Sequence, residues 1–274
     1  MTSLAVSIQS HHFLFIFKCV VYSALCFTSY QFLMEDYVAA QLILNESSSW
    51  ADVINIFSVS IDTLAWLALL VAFELETSRF GSQWITEKGK HLLSVVSIAC
   101  YLIIVYALVG YIGKMLMLSS VEPLLENPCA AVGEYLLIVD MDEYESLTKE
   151  RCSTVSVESL NKLSGKNIVF EPEIYRKVVG LAWASVINSL AWILVVAVIQ
   201  FEILIQAKDR LKEMTRRSSY WLKAGLYLTL LLVASFWGVV GSIVDFLDAV
   251  LWLSGFLIIE LNIFNFSRPD YQAD

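Results

Sequence analysis

Apolar residues gather in six long runs, at 13–33, 51–75, 91–118, 176–201, 219–240 and 243–264, with shorter polar stretches between them. A helix crossing roughly 30 Å of hydrocarbon needs about 20 such residues, so every run is long enough to span a bilayer. The pattern predicts an all-α integral membrane protein of six transmembrane helices. The first run reads as a retained span rather than a cleaved signal: "MTSLAVSIQSHHF" before it carries no Lys or Arg, and Lys18 interrupts it.

Three of the runs repeat one another. "LAWLALLVAFELE" (64–76), "LAWILVVAVIQFE" (190–202) and "VLWLSGFLIIELN" (250–262) align without gaps. The alignment puts Asp62, Asn188 and Asp248 in one column and Trp66, Trp192 and Trp252 in the next. Two further columns hold Glu74, Gln200 and Glu260, then Glu76, Glu202 and Asn262. The odd-numbered runs repeat more weakly, with "KCVVY" (18–22) against "KAGLY" (223–227) and only the tyrosine kept in "SIACY" (97–101). The unit is therefore a hairpin of two spans used three times in tandem, over residues 1–80, 81–210 and 211–274.

Local signals agree with that division. "SWAD" (49–52) and "SIVD" (242–245) are capping-box patterns opening the second and sixth spans, and Pro172 stands where a helix tolerates a first-turn proline. Gly238 and Gly241 suit a tight turn between the last two spans. The third and fourth spans are joined by the long segment 119–175, read as a small outer loop subdomain in which "YLLIV" (135–139) and "NIVF" (167–170) are short strands.

Composition strengthens the membrane reading. The chain is 58% apolar and 16% charged, with a mean hydropathy of +0.67, against about a quarter charged in soluble domains. Basic residues set the orientation: Arg79, Lys88, Lys90, Lys208, Arg210, Lys212, Arg216 and Arg217 lie in the loops joining spans 2–3 and 4–5, while the loop 34–50 has none. Both termini are then cytoplasmic, in a cell (inner) membrane. The net charge of −9 comes mostly from the outer loop, and nucleic acid is not an expected partner.

Cys19, Cys26 and Cys100 lie within spans as small apolar residues, whereas Cys129 and Cys152 share the outer loop and form a candidate disulfide. No Cys/His cluster points to a metal, and no cofactor is expected. "DMDEYE" (140–145) has the acidic density of a calcium loop but lacks the glycine and closing glutamate of an EF-hand. There is no GxSxG, HExxH, Walker or Rossmann glycine pattern, so the chain is read as non-enzymatic.

What remains is the polar columns. Asp62 and Glu76 are separated by nearly four helical turns, so they share a face about 21 Å apart with Trp66 between them, while Glu74 turns toward a neighbour. Lys18 and Lys223 sit at the depth of the glutamates and are candidate charge partners for Glu76, Glu202 or Glu260. Two functions fit. In the first, the columns are interhelical polar contacts in a scaffold or subunit of a membrane assembly. Its protein partner would dock on the outer loop 119–175 or the basic loop 206–219. In the alternative they line a cation or proton pathway, with Asp62 and Asp248 outside and Glu76, Glu202 and Glu260 inside. Residues 223–266 look similar to segments of bacterial membrane proteins, a likeness that implies no activity.

Overall fold

The computed structural model describes residues 2–45, 48–77, 86–124, 127–130, 133–155, 160–206 and 213–266. Within these, the side chains of 2–14, 76–77, 203–206, 213–216 and 257–266 lie outside the description. The chain is a mostly helical, multi-pass membrane protein. Its long helices are α1 (Thr2–Ile43), α3 (Ser58–Thr77), α4 (Glu87–Ser119), α6 (Pro172–Gln206), α7 (Glu213–Val240) and α8 (Ile243–Phe266), with the short α2 (Trp50–Ile56) ahead of α3. Among the described residues, five segments are long and apolar enough to cross a membrane, within α1, α3, α4, α6 and α7. The sixth apolar run lies in α8, whose side chains are described only as far as Phe256.

The six long helices pack in sequence order. Each touches the next (with α2 wedged beside α4), and α8 returns to α1, so the helices close a ring. All six contribute to one core, which includes Leu25 of α1, Trp66 and Leu70 of α3, Ile104 of α4, Trp192 and Val195 of α6, Leu230 of α7 and Trp252 of α8. The outside of the ring is apolar as well: Phe27, Leu102, Val109, Leu222, Leu232 and Val239 are all more than half exposed. Water would penalise so continuous an apolar belt, whereas hydrocarbon accepts it.

Two elements depart from the apolar pattern. The first helix continues past residue 33 through "MEDYVAAQLI", and the second run is broken at Phe57 into α2 and α3. These departures share a cause. The break leaves the first amide N–H groups of α3 without helical acceptors. Asp36, on the extension of α1 and 2% exposed, accepts from the Ser60 backbone N–H at 3.1 Å and from Ser60 Oγ at 2.6 Å. A carboxylate from another helix thus caps α3, where the positive end of the helix dipole favours it. The break also sits close to α4. A Cβ on Gly110 would lie 2.9 Å from Ser58 Cβ, and one on Gly113 only 2.4 Å from Asn55 Oδ1.

The caps form as the sequence implies. Ser49 Oγ accepts from the Asp52 N–H while the Asp52 carboxylate accepts from the Ser49 N–H, and Ser242 and Asp245 do the same for α8. Pro172 is the first residue of α6.

Between α4 and α6 the chain builds a five-stranded sheet, so "all-α" needs correcting for this segment. The strands are β1 (Val121–Pro123), β2 (Leu136–Asp140), β3 (Glu143–Ser146), β4 (Asn161–Leu163) and β5 (Ile168–Phe170), with the short helix α5 (Lys149–Thr154) after β3. The order is β1-β4-β5-β2-β3, with β2 and β5 parallel and the other pairs antiparallel. Alternation sorts its two faces. Ile138, Ile168 and Phe170 pack on Leu118 of α4 and Val178 of α6, while Leu137 and Val169 pack under Leu147 and Leu160 beside Cys129 and Cys152. Those two cysteines form a disulfide with Cα atoms 5.9 Å apart.

Candidate functional site

Each of α3, α6 and α8 carries a polar residue with a tryptophan four positions on: Asp62 and Trp66, Asn188 and Trp192, Asp248 and Trp252. Residues at i and i+4 share a helix face, so each helix presents a polar group stacked on an indole. In the ring these three faces meet. The Trp66 centroid lies 6.3 Å from both the Trp192 and Trp252 centroids. Phe256, one turn beyond Trp252, fits among them at 5.7 Å from Trp66 and 4.6 Å from Trp192. These rings plug the centre of the ring.

On the sheet side of the plug lies a cavity of about 110 Å³. Asp62, Asn188 and Asp248 all line it, with Trp66, Trp192, Trp252 and Phe256 beneath them. The remaining helices complete the wall through Phe32 of α1, Tyr111 of α4 and Trp237 of α7, and Asp245 adds a further carboxylate. The β2–β3 turn, Met141 and Asp142, covers the cavity. Asp142 adopts a left-handed backbone, φ 64°, which a short polar side chain tolerates. Two ion pairs pin this roof: Lys114 of α4 to Asp142 at 2.6 Å and Lys177 of α6 to Asp140 at 2.5 Å. The acidic stretch 140–145 is therefore held by cationic side chains, Glu145 being paired with Arg151.

The carboxylates of the cavity differ in their partners. Asp248 accepts from Thr28 Oγ1 at 2.6 Å. Asp62 is 7% exposed; its Oδ2 accepts from the Tyr111 hydroxyl at 3.1 Å, and its Oδ1 has no hydrogen-bond partner among the described residues. The indole of Trp66 interacts with the Asp62 carboxylate, and that of Trp252 with Asp248, but neither supplies a bond to Asp62 Oδ1. None of the ion pairs among the described residues involves Asp62, Asp245 or Asp248. The cavity thus has an aromatic floor and an acidic wall, under a roof whose Asp142 is bound to Lys114.

The second polar layer, beyond the plug, is arranged differently. Glu74 accepts from Lys18 Nζ and from the Tyr22 hydroxyl, each at 2.6 Å, joining α3 to α1. Glu202 accepts from Lys223 Nζ at 2.9 Å and from Ser219 Oγ, joining α6 to α7. Gln200 donates to the Tyr101 hydroxyl at 3.3 Å. These residues do not converge; they form separate contacts between neighbouring helices. Lys18 takes Glu74, the glutamate turned off the stripe, because that face of α3 meets α1. The side chains of Glu76, Glu260 and Asn262 lie outside the described residues.

Several residues of the cavity and its surroundings escape sequence reasoning. Thr28, Tyr111 and Trp237 carry no motif. Asp36 and Lys114 did carry a signal, since an ionisable residue in an apolar run calls for a partner. Asp36 falls in the polar stretch after the first run, and Lys114 lies inside the third. The chain matches no known family, no curated protein and no solved structure, so function is argued from this geometry.

Proposed function

We propose that the protein is a non-enzymatic, six-span membrane protein, built as three tandem hairpins, that takes up a cation from the outer face into its central cavity. In this reading the sheet lies outside the cell (inner) membrane and both termini lie in the cytoplasm. The carrying observation is the convergence of Asp62, Asn188 and Asp248 on one cavity walled by all six long helices. Ionisable groups inside spans are costly and mark substrate or ion routes by default. A purely structural polar layer would need only pairwise contacts, which is the arrangement of the layer beyond the plug.

The cavity is a binding site facing one side and not an open pore. Trp66, Trp192, Trp252 and Phe256 block the axis, and Glu74 and Glu202 beyond them are held by lysines. Passage would need the plug to part, as in alternating access. The same closed plug favours the second reading, a scaffold or assembly subunit in which the cavity is occupied without transport.

Proton and alkali-cation flux in proteoliposomes, with Asp62→Asn and Asp248→Asn alongside wild type, decides between them. Wild-type flux that both substitutions cut at least tenfold supports uptake through this cavity. Flux no greater than in empty liposomes, with a stoichiometric protein copurifying, hands the function to the scaffold.

A further inference from the structure

The cavity's chemistry restricts the cation. A bare alkali or divalent ion gives up its water shell only for a nearly complete set of oxygen ligands, six or more for calcium. Here the oxygens of Asp62, Tyr111, Asn188 and Asp248 come from four helices around the wall, and the surface beneath them is three indoles and a phenyl ring. Among the described residues no three acidic, histidine or cysteine groups come together to hold a metal. Aromatic faces are poor substitutes for a small ion's water but attract a cation whose charge is spread over an apolar body, as in the cages that bind quaternary ammonium groups.

The unpartnered Oδ1 of Asp62 supplies the second requirement. A buried carboxylate with one oxygen unbonded and no ion-pair partner is favoured as its acid or beside a bound cation. This oxygen belongs to a residue 7% exposed that lines the cavity directly above Trp66. Size narrows the choice further: about 110 Å³ is somewhat less than the ~150 Å³ that accepts a benzene ring.

We infer that the ligand of this cavity is a small organic ammonium ion, its alkyl groups resting on Trp66, Trp192, Trp252 and Phe256 and its charge facing Asp62 and Asp248. The inference rests on the proposed cation uptake and adds the ligand's class to it. Tetramethylammonium, with five non-hydrogen atoms, represents that class. tert-Butanol, of nearly the same shape, is its neutral counterpart.

The experiment is calorimetric titration of the full chain in lipid nanodiscs with tetramethylammonium, tert-butanol and potassium, followed in parallel by tryptophan fluorescence. Expected is saturable binding of tetramethylammonium alone, weakened at least tenfold by Asp62→Asn and by Trp252→Leu. Trp50→Leu, 83% exposed on α2 and away from the cavity, should leave it unchanged. If Trp252→Leu fails to fold, the comparison of tetramethylammonium with tert-butanol on wild type still reads the charge requirement. Equal binding of the two would overturn the inference, because shape alone would then suffice. Potassium binding or proton flux sensitive to Asp62→Asn, with no tetramethylammonium binding, would overturn it while leaving cation uptake standing. No response to any cation, with no flux, removes both.

Discussion

Thr28 on the first long helix donates a 2.6 Å hydrogen bond to Asp248 on the last, 220 residues away. The bond closes the ring and at the same time positions a wall of the cavity. Thr28 Oγ1 also contacts the Leu25 carbonyl at 3.1 Å, so its hydroxyl is held in place by its own helix. Thr28→Val keeps the shape and removes the donor, leaving the Asp248 carboxylate short of a partner. We expect a loss of about 1–3 kcal/mol, read as a lower unfolding temperature in detergent, with Thr28→Ser recovering most of it.

The contact between Lys18 and Glu74 is partly buried, at 22% and 25% side-chain exposure, and Tyr22 shares the same carboxylate oxygen. Removing one partner strands the other, so Lys18→Met and Glu74→Gln should each destabilise by about 1–3 kcal/mol. The double variant should cost less than the sum of the two. A double-mutant cycle by thermal unfolding gives the coupling directly, and additivity would mean the two groups do not interact in the membrane.

At Asp52, outside the spanning segments, three hydrogen bonds converge on one carboxylate: from Lys166 at 2.8 Å and from the Ser49 N–H and hydroxyl at 3.0 and 2.7 Å. The Lys166 ammonium, followed by the Ser49 groups, holds the carboxyl down at about 2. An aspartate in the unfolded chain titrates near about 4. The depressed folded value means the stabilisation is fully present above that range and fades as pH falls from about 4 toward 2. Lys166→Met should move the start of acid unfolding of the sheet segment to higher pH, as followed by hydrogen exchange of β4 and β5.

Cys129 and Cys152 close a loop with a sequence separation of 23, for which the chain-entropy model gives about 3 kcal/mol. Reduction, or Cys129→Ser with Cys152→Ser, should leave the helix ring intact while exposing the segment around Leu147 and Leu160 to protease. A membrane-impermeant maleimide added to intact cells should label both cysteines only after reduction. Labelling only from the opposite side of the membrane would reverse the proposed orientation.

Gly110 and Gly113 let α4 approach the break between α2 and α3. Gly113→Ala would drive its Cβ to 2.4 Å from the Asn55 side chain, which can swing aside, whereas Gly110→Ala meets the Ile54 carbonyl oxygen at 3.2 Å as well as Ser58 Cβ at 2.9 Å. The second substitution should destabilise by about 1–3 kcal/mol and the first by less, measured as the shift in unfolding temperature.

Membrane character was legible because it depends on hydropathy, which the chain carries locally. That Asp62, Asn188 and Asp248 would face one cavity was not, because rotation of a helix about its axis is decided by its neighbours. The same limit applies to the inner layer, where Lys18 meets Glu74, a glutamate outside the three candidate partners. The break at Phe57 was hidden because "INIFSVSID" contains neither glycine nor proline. Its compensation came from Asp36, on a segment whose two acidic residues read as loop. The β2–β5 pairing was foreseeable as strands, but that its neighbouring turn would roof the cavity depends on Lys114 and Lys177, which only the assembled helices bring close.

A ring that closes between its first and last helices has a consequence for biosynthesis. Synthesis runs from α1 toward α8, so the first helix enters the bilayer long before its partner exists. Until α8 emerges, Thr28 lacks its acceptor, Asp62 faces an unfinished compartment, and one flank of α1 meets lipid or the insertion machinery instead of protein. The cavity is therefore completed only when α8 arrives, and a chain stalled before Ile243 lacks Asp245, Asp248, Trp252 and Phe256, and with them one flank of the site.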